Sequence, residues 1–391
     1  MPELGIGLGI SKGAAPKTKL LVDKYNIDAA FSLRKVRAEY SGPCVRVRNS
    51  SGDLADIGFT SNGTLDVDAL NAHCGDGDGT VQTWYNQSTE GGRFNAVQDT
   101  AADQPIIYDA SEGGYLGYLQ NDGGRYLRAE NQLTGVTDLA VVYQRTNATD
   151  GASSMIVGEH SADNAMLGIR CEIDDKGLQW QTSDANDLAD ILTHTGNSIT
   201  EKFAGFFYTN GSEKFGVVNG YVAGQNDSAT AFDFDYIFTG AKNDGNQDTF
   251  DFEGKIWEVF LSTSDLSSSR IAIENSILSA NGLTVPEKTL LEKYGSGAVA
   301  YSFRSVNREY VGPIISLDCA TSTPTLQNPI YLTSEGKINT QRITDLCTNP
   351  DTTTSNGYVR VWYDQSGQGI DASSTVSNAV KPAIFIGGTA V

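Results

Sequence analysis

Oxygen-bearing side chains crowded onto tight turns are the first chemistry that this sequence offers. Asp76-Gly-Asp78-Gly79 and Asn243-Asp-Gly-Asn-Gln-Asp248 each gather several within a few residues, as a calcium site requires. Neither run has full EF-hand spacing, so Ca2+ at Asp244, Asn246 and Asp248 competes with ordinary turn chemistry. Flat aromatic faces are the second. Trp180 and Tyr208 could stack on a sugar ring, with Asp244 as polar partner, although core packing is the commoner use of such rings. His73, His160 and His194 are far apart, and no serine nucleophile context accompanies them. A hydrolytic triad is therefore not supported. The run Leu4-Gly-Ile-Gly-Leu-Gly-Ile10 is no phosphate cradle, because no helix start follows it.

These residues sit in a chain that repeats itself. Ala30-Phe-Ser-Leu-Arg-Lys-Val-Arg-Ala-Glu-Tyr-Ser-Gly-Pro43 returns as Ala300-Tyr-Ser-Phe-Arg-Ser-Val-Asn-Arg-Glu-Tyr-Val-Gly-Pro313. Val81-Gln-Thr-Trp-Tyr-Asn-Gln-Ser88 returns as Val359-Arg-Val-Trp-Tyr-Asp-Gln-Ser366. So many ordered matches make residues 20–111 and 285–391 two copies of one module. Each copy reads as a short helix or turn over its first motif, such as Ala30 to Tyr40, followed by strands. In the Trp-Tyr-Asx-Gln-Ser motif the aromatics are expected in the module core, with Asn86 or Asp364 capping a turn. Arg34 and Arg304 are expected to pair internally with Glu39 and Glu309. The five cysteines are odd in number and form no CxxC, so neither a disulfide framework nor a zinc site is indicated. One bridge per module, Cys44 with Cys74 and Cys319 with Cys347, stands beside buried free thiols as the alternatives.

Between the copies, residues 112–284 alternate short apolar segments with Gly, Asn and Asp turns. Leu139-Ala-Val-Val-Tyr143, Phe203-Ala-Gly-Phe-Phe-Tyr208 and Lys255-Ile-Trp-Glu-Val-Phe-Leu261 are typical. That spacing predicts an antiparallel two-sheet β-sandwich. One helix is expected, from Leu266 to Asn281, with Gly282 as its stop. The whole chain therefore reads as all-β, in keeping with its 42 glycines and 17 tyrosines. Its formal charge of −20 argues against a sequence-independent nucleic-acid binder. No apolar run approaches the ~20 residues that a bilayer span needs. Residues 1–19 form a leader that is a poor signal peptide, and residues 1–16 are a candidate docking arm.

At Tyr40-Ser-Gly-Pro, Val45-Arg-Val-Arg-Asn-Ser-Ser51, Trp84-Tyr-Asn-Gln-Ser88 and Phe252-Glu-Gly254 the chain resembles the catalytic domain of B-type α-L-arabinofuranosidases. The resemblance covers roughly residues 20–283 and implies a concanavalin A- or laminin-G-like sandwich. A retaining glycosidase needs two carboxylates about 5–5.5 Å apart, one with a raised pKa. Candidates are Glu159, Glu172, Asp244, Glu253 and Glu258, but no family motif survives around Glu159 or Glu172, and the family's adjacent-cysteine pair is missing. The chain also looks like bacteriophage virion proteins with a Gly-Leu-Gly-Ile leader. That likeness implies a non-enzymatic structural protein of the tail or particle surface, located in the virion. Its implied partners are other virion proteins, met through residues 1–16 and the C-terminal module, a host-surface glycan and further copies of itself. A glycoside hydrolase or a secreted adhesin is the alternative.

Overall fold

Turn chemistry divides the chain into short strands, and one long strand then collects them. The computed structural model describes residues 19–146, 154–158, 168–171, 178–181, 201–226, 231–238, 252–295, 297, 299–319, 328–348, 356–374, 381–386 and 389–390. The first module contributes β1 (Ala29–Ser32), β2 (Val45–Asn49), β3 (Leu54–Ile57), α1 (Val67–Cys74), β4 (Gly79–Trp84), β5 (Ala96–Val97) and β6 (Ile106–Asp109). The middle region adds β7 (Gly114–Asn121), β8 (Leu127–Val136), β9 (Asp138–Arg145), β10 (Ser154–Gly158), β11 (Gly168–Cys171) and β12 (Leu178–Gln181). It continues with β13 (Phe203–Thr209), β14 (Lys214–Val218), β15 (Tyr221–Asn226), β16 (Phe232–Ile237), β17 (Gly254–Ser262) and α2 (Arg270–Ala280). The last part holds α3 (Leu290–Tyr294), β18 (Ile315–Cys319), β19 (Asn328–Ile330), α4 (Thr340–Cys347), β20 (Gly357–Trp362), β21 (Ala372–Ser373), β22 (Ala383–Ile386) and β23 (Thr389–Ala390).

Every strand pair described is antiparallel. From β4 the hydrogen-bonded sheet runs two ways, through β6, β7, β17, β9, β13, β14 and β15, and through β5, β8, β16, β10, β11 and β12. The two branches face each other. Val141, Phe207, Val259 and Leu261 from one meet Leu133, Ile156, Phe234 and Ile237 from the other in a single core. This is the expected sandwich. β13 is buried along its whole length because its second face, Ala204, Phe206 and Tyr208, lies under Ile273, Ile277 and Leu278 of α2. A strand covered on both sides needs a continuous apolar run, which Phe203-Ala-Gly-Phe-Phe-Tyr208 supplies. Local signals agree with these layers. Asn219 and Gly220, both at positive φ (49° and 86°), make the two-residue turn between β14 and β15.

The modules share one scaffold. β2 pairs with β3 and β4, and β4 with β5 and β6; likewise β18 pairs with β19 and β20, and β20 with β21 and β22. Asp66 caps α1 and Asn339 caps α4 in the same way. Gly79 lies under the Cys74 sulfur and Gly357 under the Cys347 sulfur, where an added Cβ would stand 2.6 and 2.7 Å from sulfur. Trp84 packs near Phe31, and Trp362 near its counterpart Tyr301, at centroid distances of 5.7 and 5.8 Å. The Asx turns form as expected, with Ser88 N–H donating to Asn86 and Ser366 N–H to Asp364.

Three expectations need correction. Residues Ala30–Tyr40 do not open with a helix, because β1 pairs with β17 across more than two hundred residues of sequence. Only one of the two bridges exists. Cys319 is bonded to Cys347, whereas Cys44 and Cys74 are buried thiols. The position of Cys319, last in β18 and opposite Gly357, is held in the first module by Asn49, opposite Gly79. Asn49 instead donates its amide to the His73 carbonyl at 3.2 Å, and burial pushes the Cys74 thiol up to about 11. Third, Arg34 pairs with Glu258 of β17 rather than with Glu39.

The second module packs on the sandwich around one buried side chain, with Val311 and Tyr331 also lying against the core under α2. Arg308 donates to Glu274 and Asn275 of α2, both at 3.1 Å, and to the Gly220 carbonyl at 3.2 Å. Arg270 holds the other Glu274 oxygen at 3.0 Å, so one carboxylate is shared by two guanidinium groups. Among the described residues no helix is long and apolar enough to cross a membrane.

Two outcomes test this account. Burial raises the Asp138 carboxyl to about 7, even though Thr209 N–H, Leu266 N–H and the Thr137 hydroxyl donate to it. Its folded pKa lies above the unfolded range, so the stability it confers is full below about pH 4 and lost as pH rises through about 7. Melting temperature measured from pH 4 to 8 should therefore decline less steeply in Asp138→Asn than in the parent; parallel profiles would refute the assignment. Reduction of the Cys319–Cys347 bridge, which spans 28 residues, should cost roughly 3 kcal/mol in calorimetry. Cys44→Ala should leave that loss unchanged.

Candidate functional site

The seam where β1 of the first module adds to β17 opens into a cleft of about 340 Å³. Ser32, Arg34, Tyr115, Trp257, Glu258 and Asn281 line it, together with Leu65. Each arrives by a different route. Register places Ser32 opposite Glu258, so two side chains from strands far apart in sequence meet on one face. Arg34 follows at the isolated bridge to Thr64, and Asn281 stands at the end of α2. Trp257 sits at the irregularity in β17 just before Glu258, and both line the cleft, which gives it an aromatic wall beside its charge.

Glu258 is the electrostatic centre. Its carboxylate accepts from the Ser32 hydroxyl at 2.6 Å, from Arg34 Nη2 at 3.2 Å and from the Asn281 amide at 2.7 Å, and Arg34 Nε stands in ion-pair contact at 2.6 Å. Three hydrogen bonds and the Arg34 ion pair hold the carboxylate in place. A buried charge must be matched in this way to be tolerated at all. Lys202 lies 4.3 Å from the Trp257 ring and donates to the Asn281 carbonyl at 2.9 Å. Burial lowers the Lys202 ammonium, while the Glu258 charge pulls it back up. Tyr118 meets Trp257 at 5.1 Å and carries Lys255 at 4.4 Å, so the wall is braced from behind.

A larger hollow of about 500 Å³ lies on the first module, lined by Lys35, Tyr40, Asp56, Phe59 and Thr60. Its single carboxylate is already spoken for. Asp56 takes a two-pronged bond from Arg46 at 2.8 Å and the Tyr85 hydroxyl at 2.8 Å, and Arg46 keeps its pKa low.

Of the residues expected from sequence, Glu258 belongs to the cleft and Glu253 does not. Glu253 stands just before β17, roughly 15 Å of strand from Glu258, too far for a catalytic pair. Tyr208 is no sugar platform, because its ring is buried between Phe206 and Phe215. Trp180 lies on β12 opposite Ile169. Glu159, Asp244, Asn246 and Asp248 fall outside the described residues, as do Glu172, His160, His194 and the arm 1–16. Asp78 accepts from Ala110 N–H at 3.0 Å, an ordinary turn role, and no group of three potential metal ligands occurs among the described residues. Ser32, Trp257 and Asn281 were not expected. No sequence signal joins them, since contacts across more than two hundred residues leave no local pattern.

No family model matches the chain, and no curated protein does. Solved structures do. A GH54 α-L-arabinofuranosidase with a cyclic sulfate inhibitor matches 92% of this chain and 75% of its own, at 13% identity and a TM-score of 0.49. An arabinofuranosidase in complex with arabinofuranosyl-α-1,2-xylobiose matches 89% and 79%, at 15% identity and 0.49. The CBM40 domain of a Ruminococcus gnavus sialidase, bound to α2,6-sialyllactose, matches 36% of this chain and 83% of its own, at 14% identity and 0.29. At these identities and TM-scores the likenesses carry no argument about activity. None of these likenesses supports the expectation that the chain is not an enzyme.

The joint has an internal control. Glu258→Ala should cost about 3 kcal/mol in denaturant unfolding by leaving Arg34 uncompensated at the seam. Arg304→Ala, at the matching position of the second module where the side chain is exposed, should change stability by less than about 0.5 kcal/mol. Equal effects would show that Glu258 does not brace the first module.

Proposed function

We propose that the chain acts on a carbohydrate, as a glycoside hydrolase of the arabinofuranosidase kind that seats its saccharide in the cleft at the first module. The observation that carries this reading is the composition of that cleft. Trp257 offers an aromatic wall, and Arg34, Asn281 and Ser32 offer fixed hydrogen-bonding groups beside the Glu258 carboxylate. Sugar recognition uses this combination, with flat apolar faces on rings and convergent polar groups on hydroxyls.

Glu258 is a positioning residue in this scheme. Held by three hydrogen bonds and the Arg34 ion pair, it is a poor nucleophile, but it aligns Arg34 and Asn281. The reacting carboxylates then come from Glu159, Glu172 and Asp244, the remaining sequence candidates. One would attack the anomeric carbon and the other protonate the leaving oxygen.

The test is hydrolysis of 4-nitrophenyl α-L-arabinofuranoside by the full chain and by single Glu→Gln or Asp→Asn variants. Two of Glu159→Gln, Glu172→Gln and Asp244→Asn should reduce kcat more than about a hundredfold, whereas Trp257→Ala should chiefly raise KM. Arabinose-containing saccharide bound without turnover would replace hydrolysis by attachment, the role drawn from the virion resemblance. Absence of both binding and turnover would overturn the carbohydrate reading.

A further inference from the structure

The duplicated module provides a comparison inside one chain. In the first copy, β1 has two occupied edges. One receives the Trp-Tyr-Asn-Gln loop, with Ala30 N–H donating to Asn86 at 2.8 Å and Gln87 N–H to the Ala30 carbonyl at 2.9 Å. The other is zipped to β17, in the register Ala29 to Leu261, Ala30 to Phe260, Phe31 to Val259 and Ser32 to Glu258. In the second copy the first edge is reproduced. Ala300 N–H donates to Asp364 at 2.7 Å and Gln365 N–H to the Ala300 carbonyl at 2.8 Å. Its second edge, at Val299 and Tyr301, meets no strand among the described residues.

Side chains report the same difference. Ala29, Phe31 and Leu33 are 0%, 0% and 8% exposed, against 39%, 37% and 42% for Val299, Tyr301 and Phe303. Leu290 of α3 is 54% exposed, while Leu21, at the matching turn, is 4%. Polar groups follow suit. Ser32 and Arg34 grip Glu258, whereas Ser302 and Arg304 stand ready in the same places, and Arg304 meets no carboxylate among the described residues. Its backbone keeps the matching geometry, since Arg304 N–H donates to the Ser302 hydroxyl at 3.2 Å and Arg34 N–H to Ser32 at 3.1 Å.

We propose that this face of the second module receives an antiparallel strand from the sheet of a partner protein, with one carboxylate in register with Ser302 and large apolar residues after it. The first module states the chemistry of that occupant, because it shows the same surface filled by Glu258-Val-Phe-Leu261. Backbone pairing supplies the affinity and the Arg304–carboxylate contact supplies the register. This chain's own β17 does not qualify. It already pairs with β9 along one edge and with β7 and β1 along the other.

A peptide carrying residues 254–262, flanked by lysines for solubility and fluorescently labelled, is the probe. Titrated with the full chain, it should bind in a 1:1 ratio. Arg304→Ala in the chain, or Glu258→Gln in the peptide, should each weaken binding about tenfold. Tyr301→Pro, which removes an N–H from the free edge, should abolish it. Both chain positions are exposed, so unchanged thermal unfolding of the variants separates lost docking from lost folding. Absence of binding, or binding indifferent to these changes, overturns the proposal. So does a concentration-dependent dimer of the chain alone in sedimentation equilibrium that Tyr301→Pro dissolves, since the face would then belong to a second copy.

Discussion

Strand β17 satisfies neighbours on both of its edges, and the architecture follows from that constraint. One edge is taken by β9 along its length, the other is divided between β7 at its start and β1 at its end. An unpaired buried backbone group costs about as much as a lost hydrogen bond, so such a strand cannot remain partly empty. The first module is thereby part of the sandwich sheet rather than a bead beside it. The cleft exists because that seam joins two units whose loops do not quite meet.

Freed from that seam, the second module solves its stability problem differently. A unit of about 100 residues buries little surface by itself. Where the first module gains cover for Phe31 and Leu33 from the sandwich, the second leaves Tyr301 and Phe303 partly open and ties Cys319 to Cys347. It is held to the rest by Val311, Tyr331 and Arg308, whose buried charge shares Glu274 with Arg270. Duplicate sequences have thus diverged chiefly in what covers them.

The seam also explains why Glu258 is a better anchor than reactant. Donors from the first module and from the end of α2 converge on it, and the resulting network fixes Arg34 and Asn281 at the cleft wall. Rigid polar groups beside an aromatic face suit a ligand whose hydroxyls must be read in one orientation. Pre-organisation of this kind costs the fold a buried charge and returns a shaped site.

Much of this molecule was written locally. The repeat, the Asx turns at Asn86 and Asp364, the Asn219-Gly220 hairpin and the helix near Leu266–Asn281 all follow from neighbours within a few residues. Alternation and turn spacing are enough to specify a sandwich, since sheet faces follow a period of two. The tertiary structure alone decided the rest. Ala30-Phe-Ser-Leu reads as a short helix or turn until β17 is placed beside it, and its twin Ala300-Tyr-Ser-Phe lacks that partner among the described residues. Cys44 and Cys319 look equivalent by count, yet Cys44 matches Ile314 in the fold and lies on the wrong part of β2's approach to reach Cys74. Arg34 and Arg304 look identical, but among the described residues only Arg34 finds a carboxylate. Contacts between residues hundreds of positions apart depend on how sheets close, and no local pattern of side chains encodes that closure.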